Sequence, residues 1–291
     1  MAEDPRALIQ KAEKLRASTG GFSFFSRKED KLQDAVELYV QAANAFRLQK
    51  NYKEAGKTFE LAAKINKNDL KELDDAADNM LQAFKAYRKD SPEDAVRCLQ
   101  AAINQYTSKG NYRRAASHME NMGEVYENEI GDRKRALDAY EEAAGWYEDD
   151  NAPALANKLW LKVADIAALE KDYYRAIQKF EKVADSSLNN NLMKYSVKDY
   201  YLKAGLCILA TKDLVTTRRN IDKYREKDPS FSTQRECQFL IDLVEAVEAG
   251  EQEIFQEKVA AYRRAGNFDQ WKSAIVSEIG NQIEEADNEF A

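Results

Sequence analysis

Ala136-Leu137-Asp138-Ala139-Tyr140-Glu141-Glu142-Ala143-Ala144 sets an alanine, a tyrosine four positions later and a small residue again at the eighth. Offsets of four and eight place all three on one face of a helix. The pattern recurs on both sides of this stretch. Its leading alanines are Ala35, Ala55, Ala76, Ala95, Ala115, Ala136, Ala156 and Ala176, spaced by 19 to 21 residues. The residue at the fourth position is Tyr39, Phe59, Met80, Leu99, Met119, Tyr140, Trp160 or Phe180. A small residue returns at the seventh or eighth position: Ala43, Ala63, Ala83, Ala102, Gly123, Ala144, Ala164 and Ala184. Small residues let neighbouring helices approach, and the bulky one fills the space between them. Two such helices make a unit of about 40 residues, so the spacing predicts a tetratricopeptide-like helical-hairpin solenoid. Arrays of this kind present binding surfaces more often than catalytic centres.

Composition agrees with an all-α chain. Of 291 residues, 33% are charged and 44% hydrophobic, with only 4 prolines and 11 glycines. Ser91-Pro92-Glu93 reads as an N-cap with proline at the first helical position. Ala152-Pro153 and Asp228-Pro229 read as turns between helices. The net charge of −7 argues against nucleic acid as a partner. No apolar run approaches the length of a membrane span, and the acidic start, Met1 to Pro5, is unlike a secretory signal. Cys98, Cys207 and Cys237 are widely spaced in helical segments and are expected as buried thiols.

Three regions are expected. Residues 1–29 hold an amphipathic helix over 3–18 and a loop over 19–28 with three phenylalanines. Residues 30–191 form the hairpin array, with turns at Lys50-Asn51, Gly110-Asn111, Gly131-Asp132 and Lys171-Asp172. After the polar break Ser186 to Asn191, residues 192–291 form a C-terminal helical bundle that caps the array. Its helices are expected at 197–211, 213–226, 232–249, 251–264 and 268–286. The acidic end, Glu278 to Ala291, is expected to fray.

Nothing in the sequence supplies an active site. Phosphate-binding glycine loops, nucleophile elbows and zincin motifs are absent. His118 is the one histidine, and its place in a repeat helix marks it as a packing or partner-facing residue. Carboxylate pairs such as Glu141-Glu142 and Asp149-Asp150 fall on solvated helix ends. No enzyme, cofactor or metal reading has residues to stand on.

Several stretches resemble the soluble NSF attachment protein family: Gly21-Phe22 through Phe25-Ser26, Ala156-Asn157-Lys158 with Lys162-Val163-Ala164, and Lys194-Tyr195-Ser196-Val197-Lys198-Asp199-Tyr200. Ser232-Thr233-Gln234-Arg235-Glu236-Cys237 and Phe268-Asp269-Gln270-Trp271 extend the resemblance in order along the whole chain. Arg113-Arg114 favours the fungal branch. The resemblance implies a non-enzymatic adaptor, cytoplasmic and peripheral on membranes of the secretory and endocytic pathways. Such an adaptor binds the assembled SNARE four-helix bundle and recruits an NSF-type hexameric AAA ATPase. It then stimulates ATP hydrolysis so that the SNAREs are pulled apart.

On this footing Arg113, Arg114, Lys158, Lys162, Lys198 and Lys203 are expected on the SNARE-facing surface. Lys158 and Lys162, four apart, share one helix face. Phe22, Phe24 and Phe25, beside Gly20-Gly21, are expected to touch the membrane surface weakly. Glu284, Glu285, Asp287, Glu289 and Phe290 are expected to contact the ATPase, the acids speeding association and the ring slowing release. The chain departs from the family pattern in three places. Ser23 divides the phenylalanines, Phe290 stands where leucine is usual, and Ser117 occupies a position often lysine in animal members. The alternative is a tetratricopeptide-type clamp for a partner's C-terminal peptide, which the ~40-residue period disfavours.

Overall fold

The computed structural model describes residues 4–18, 25–266 and 268–289, with side chains at 4–18, 28–266 and 268–283. Among the described residues there are fourteen α-helices and no strand. The chain divides into two compact units, Met1–Pro153 and Ala154–Ala291. This division falls ahead of the polar break at 186–191, inside the stretch that the alanine spacing joins into one array.

The first unit holds α1 (Pro5–Ala17), α2 (Phe25–Leu48), α3 (Tyr52–Ile65), α4 (Leu73–Tyr87), α5 (Pro92–Ser108), α6 (Tyr112–Val125) and α7 (Arg133–Asp149). Each helix packs on the next in sequence. The start of α2 at Phe25 puts Phe25 to Lys28, the last four residues of the stretch expected to be loop, in helix. The seams between helices are those the repeat predicts. Ala35, Ala55, Ala95, Ala115 and Ala136 are fully buried, and Tyr39, Phe59, Leu99, Met119 and Tyr140 lie in the core beside them. Met80 departs from the pattern: it is half-buried and faces a groove.

The turns share a design. Lys50, Gly110 and Gly131 adopt left-handed backbone conformations, each followed by Asn51, Asn111 or Asp132 at the head of the next helix. Asp132 accepts a hydrogen bond from the Arg135 N–H at 2.9 Å, satisfying one of the free donors of the first turn. Ser91 stands at the N-cap of α5 as expected, but its hydroxyl makes no capping bond. After α3 and α6 the helix widens into a π-type turn, Asn66–Leu70 and Tyr126–Ile130, before a left-handed residue, Lys71 or Gly131. The alanine spacing carries no signal for these widened turns, though both end in asparagine, an acid and an aliphatic residue.

The second unit holds α8 (Pro153–Leu169), α9 (Tyr173–Ser187), α10 (Val197–Ala210), α11 (Leu214–Lys227), α12 (Arg235–Ala249), α13 (Gln252–Arg264) and α14 (Gln270–Glu289). Its centre is α10. A helix buried on all sides must be apolar all round, and Tyr201-Leu202 and Ala204 to Ala210 are buried without a break. Helices α9, α11, α12 and α14 pack on it. Tyr201 stacks on Tyr224 at 4.3 Å between ring centres, and Phe231 meets Tyr201 edge-on at 5.4 Å. Cys98, Cys207 and Cys237 are free and buried, as expected. Burial pushes the Cys98 thiol up to about 12. The acidic run expected to fray continues α14 as far as Glu289.

The packing logic is sharpest at Gly123 on α6. A Cβ built there falls 2.5 Å from the Tyr140 ring. That ring cannot swing away, because its hydroxyl donates to Glu127 Oε2 at 2.7 Å and the side chain is fully buried. Gly145, on α7, has open space where its Cβ would stand. Gly123→Ala is therefore expected to destabilise the protein by about 1–3 kcal/mol through overpacking. Gly145→Ala is expected to stabilise it by up to about 1 kcal/mol through helix propensity. Urea unfolding of the two variants, which share a chemical change, separates packing from propensity.

Candidate binding surface

The sequence-predicted cations differ in how far they are committed to the fold. In the first unit, Arg113 and Arg114 open α6. Arg113 is 65% exposed and pairs with Asp150 at 3.4 Å. Arg114 pairs with Asp78 at 3.3 Å and lies over the Tyr106 ring, 4.4 Å from its centre. His118, one helical turn on, stacks on the same ring at 5.3 Å. Burial, then the charges of Arg114 and Lys85, hold the His118 pKa below its ordinary value. The histidine is thus a packing residue.

In the second unit, Lys158 is exposed and Lys162 half-buried on α8. Lys179 and Lys182 of α9, which the sequence reading did not single out, both bring their ammonium groups near the Trp160 ring, at 4.3 and 4.2 Å from its centre. Their spacing on α9 puts them on one side of that helix, the only signal the sequence offered. Helix α9 thereby sets two lysines against a tryptophan of α8.

Lys198 and Lys203 are more deeply set. Lys198 lies 3.5 Å from Glu236 and 4.7 Å from the centre of the Tyr195 ring. Lys203, only 13% exposed, pairs with Asp165 at 2.7 Å and covers the Trp271 ring at 4.7 Å. Burial drives the Asp165 carboxyl upward, against the pull of Lys203. Lys203 is an internal charge rather than a solvated one.

Three of the stretches that carried the resemblance converge here. Glu236, nearly sealed from solvent, receives Lys198 and, at 3.3 Å, Arg235. Arg235 also donates to the carbonyls of Ala265 and Gly266 at 2.7 and 3.2 Å. Asp199 pairs with the buried Lys272 at 2.8 Å. Trp271 donates its indole N–H to the Asp165 carbonyl at 3.0 Å and meets Phe180 edge-on at 5.6 Å. Lys-Asp-Tyr at 198–200, Arg-Glu-Cys at 235–237 and Asp-Gln-Trp at 269–271 thus tie α8, α10, α12 and α14 together. Further along α14, Glu278 pairs with Lys171 at 2.7 Å, and Gln282 donates to the Ala210 carbonyl at 2.9 Å. The burial of Lys272 beside Trp271 had no signal in the sequence.

Phe22, Phe24 and Phe290 lie outside the described residues. The backbone of Phe25 opens α2 and that of Glu284, Glu285, Asp287 and Glu289 belongs to α14, but their side chains also lie outside them. No described helix is long and apolar enough to cross a membrane. Among the described residues, no group of His, Cys, Asp and Glu is placed to hold a metal.

Residues 3–284 match the family described as "Soluble NSF attachment protein, SNAP". A probable vesicular-fusion protein, the sec17 homologue of Neurospora crassa, is 61% identical with all of both chains covered. The corresponding Schizosaccharomyces pombe protein is 47% identical, again with all of both chains covered. The human alpha-soluble NSF attachment protein is 36% identical, with 96% of this chain and 94% of its own covered.

The buried pair at the base of α14 makes a measurable prediction. Lys272→Met keeps the packing stem and removes the charge, leaving the Asp199 carboxylate half-buried without this cation. Breaking a buried pair from one side is expected to cost about 3 kcal/mol, the low end of the range because Asp199 reaches solvent. Urea unfolding measures it; a loss below about 1 kcal/mol would mean that water replaces the lysine.

Proposed function

Because the chain belongs to the soluble NSF attachment protein family, we propose that it acts in vesicular fusion as an adaptor that links assembled SNARE bundles to an NSF-type hexameric ATPase and stimulates its ATP hydrolysis. It is an adaptor rather than an enzyme. The observation that carries the reading is the way α14 is held. Trp271, Lys272, Glu278 and Gln282 fasten it to α8, α10 and the turn before α9. The acids Glu284, Glu285, Asp287 and Glu289 follow on the same helix. A firmly based helix that carries an acidic segment suits delivery of that segment to a basic site on a second protein.

The SNARE bundle meets cations that reach solvent: Arg113 and Arg114 in the first unit, and Lys158, Lys162 and Lys198 in the second. Lys203 contributes from within, by holding Asp165 and Trp271 in place. Each exposed pair is worth little alone, roughly 0.2–1 kcal/mol. Their combined field sets encounter rate and register. Phe22, Phe24 and Phe25 add a weak membrane contact that brings the adaptor to anchored SNAREs. Several copies on one bundle raise the avidity of that contact.

Reconstituted SNARE-complex disassembly with the ATPase and ATP tests the whole reading: omission of this protein should abolish it. Three variants test its parts. Lys158→Glu with Lys162→Glu is expected to weaken binding to a pre-formed SNARE bundle about tenfold and to flatten its salt dependence. Unchanged affinity would remove both lysines from the interface. Deletion of Glu284 to Ala291 is expected to spare SNARE binding and abolish stimulated hydrolysis. Disassembly at the full rate under limiting ATPase would reject the role of this segment. Phe22, Phe24 and Phe25 changed together to serine should slow disassembly of liposome-anchored complexes far more than of soluble ones. Equal slowing on the two substrates would rule out the membrane contact.

A further inference from the structure

The first unit carries a groove of about 550 Å³ between α3, α4, α5 and the π-type turn after α3, within the range of clefts that hold ligands. Its apolar lining includes Leu61 and Leu73, 37% and 44% exposed, and Met80, the bulky repeat residue that its neighbours leave uncovered. Its polar lining is unbalanced. The Glu60 carboxylate is fully engaged: Arg97 donates to it at 2.7 and 2.8 Å and the Tyr87 hydroxyl at 2.7 Å. Burial opposes the charge of Glu60, yet these bonds hold its pKa below the ordinary carboxylate value. Nearby, Asp74 is taken up by Lys109 and Gln105. Lys64 and Lys67, both exposed on the rim, have no partner among the described residues, and neither has the Asn68 amide. What remains is an apolar floor with two unpaired ammonium groups on its rim, while the two carboxylates beside it are already taken. A ligand that satisfies it supplies carboxylates and one large apolar side chain.

The chain itself contains such a segment. Glu284-Glu285-Ala286-Asp287-Asn288-Glu289-Phe290-Ala291 holds four acids, no base and one aromatic ring. We propose that this segment of one copy docks in the α3–α4–α5 groove of a second copy, its acids on Lys64 and Lys67 and Phe290 over Leu61, Leu73 and Met80. The contact is head-to-tail, between different surfaces of the two copies. Exposed ion pairs and one ring make it weak in free solution, and it gains weight where copies are crowded together. An ATPase that takes the same segment competes with it. The idea is separate from the adaptor reading, because neither SNAREs nor ATPase take part in the docking.

The test titrates a fluorescently labelled Glu284–Ala291 peptide with the full-length protein and follows polarisation at low salt. Saturable binding is expected, with a Kd between about 10 μM and 1 mM. Lys64→Glu with Lys67→Glu, exposed changes that leave the helical circular dichroism intact, should weaken it at least about tenfold. Leu61→Ser should weaken it independently of charge. An unlabelled peptide with Phe290→Ala should compete about fivefold less well than the native peptide. Absence of saturable binding below about 1 mM overturns the proposal. So does equal binding by the Lys64/Lys67 variant, which would place the peptide elsewhere. A peptide with its acids changed to amides that binds as well as the native one would equally reject it.

Discussion

Close approach of helices, a small residue of one facing a large residue of the next, is the constraint on which the structure depends. Gly123 against Tyr140 is its tightest instance in the first unit. Gly205 against Leu240, where an added Cβ would fall 2.6 Å from the leucine, is the counterpart in the second. Interiors packed to crystal-like density leave no slack for an extra methyl group at such seams. The tyrosines do more than fill space. Tyr87, Tyr106, Tyr140 and Tyr224 each pass a hydroxyl to a carboxylate on a neighbouring segment: Glu60, Asp78, Glu127 and Glu181. A buried ring with its polar tip satisfied fixes both the spacing and the rotation of adjacent helices.

The array was legible because this constraint writes itself along the chain at a fixed interval. Seven of its eight bulky positions are buried as the pattern requires, and α10 to α14 begin and end within a few residues of expectation. Met80 broke the pattern for a reason the pattern cannot hold: what covers a residue is decided by helices distant in sequence. The π-type turns lie outside the alanine spacing too, although their two instances share an asparagine, an acid and an aliphatic residue before the left-handed one: Asn68-Asp69-Leu70 and Asn128-Glu129-Ile130. Residue type could mark cations, but not their state. Lys203 and Arg113 are alike in sequence terms, yet one is enclosed by Asp165, Phe180 and Trp271 while the other stands mostly in water.

The stretches that carried the family resemblance have a structural meaning that surface function would not suggest. Asp199, Glu236, Trp271 and Lys272 make internal ties, and Lys198 is shared between the interior and the surface. Buried charge pairs contribute little net stability compared with apolar packing, but they penalise any arrangement that parts them. A lysine as enclosed as Lys272 tolerates few alternative placements of the helix that bears it.

The fastening of α14 also bears on how the second unit responds to load. Contacts between successive helices of an array can open one at a time, like a zip, when force is applied at an end. The ties from α14 run instead to Asp165, Asp199, Ala210 and Lys171, spread along the helix from its first turn to Gln282. Tension applied beyond Gln282 along the helix axis loads these ties together, in shear. Shear geometry requires several bonds to fail at once, so a pull on this helix would be transmitted to the buried helix α10 rather than dissipated by peeling.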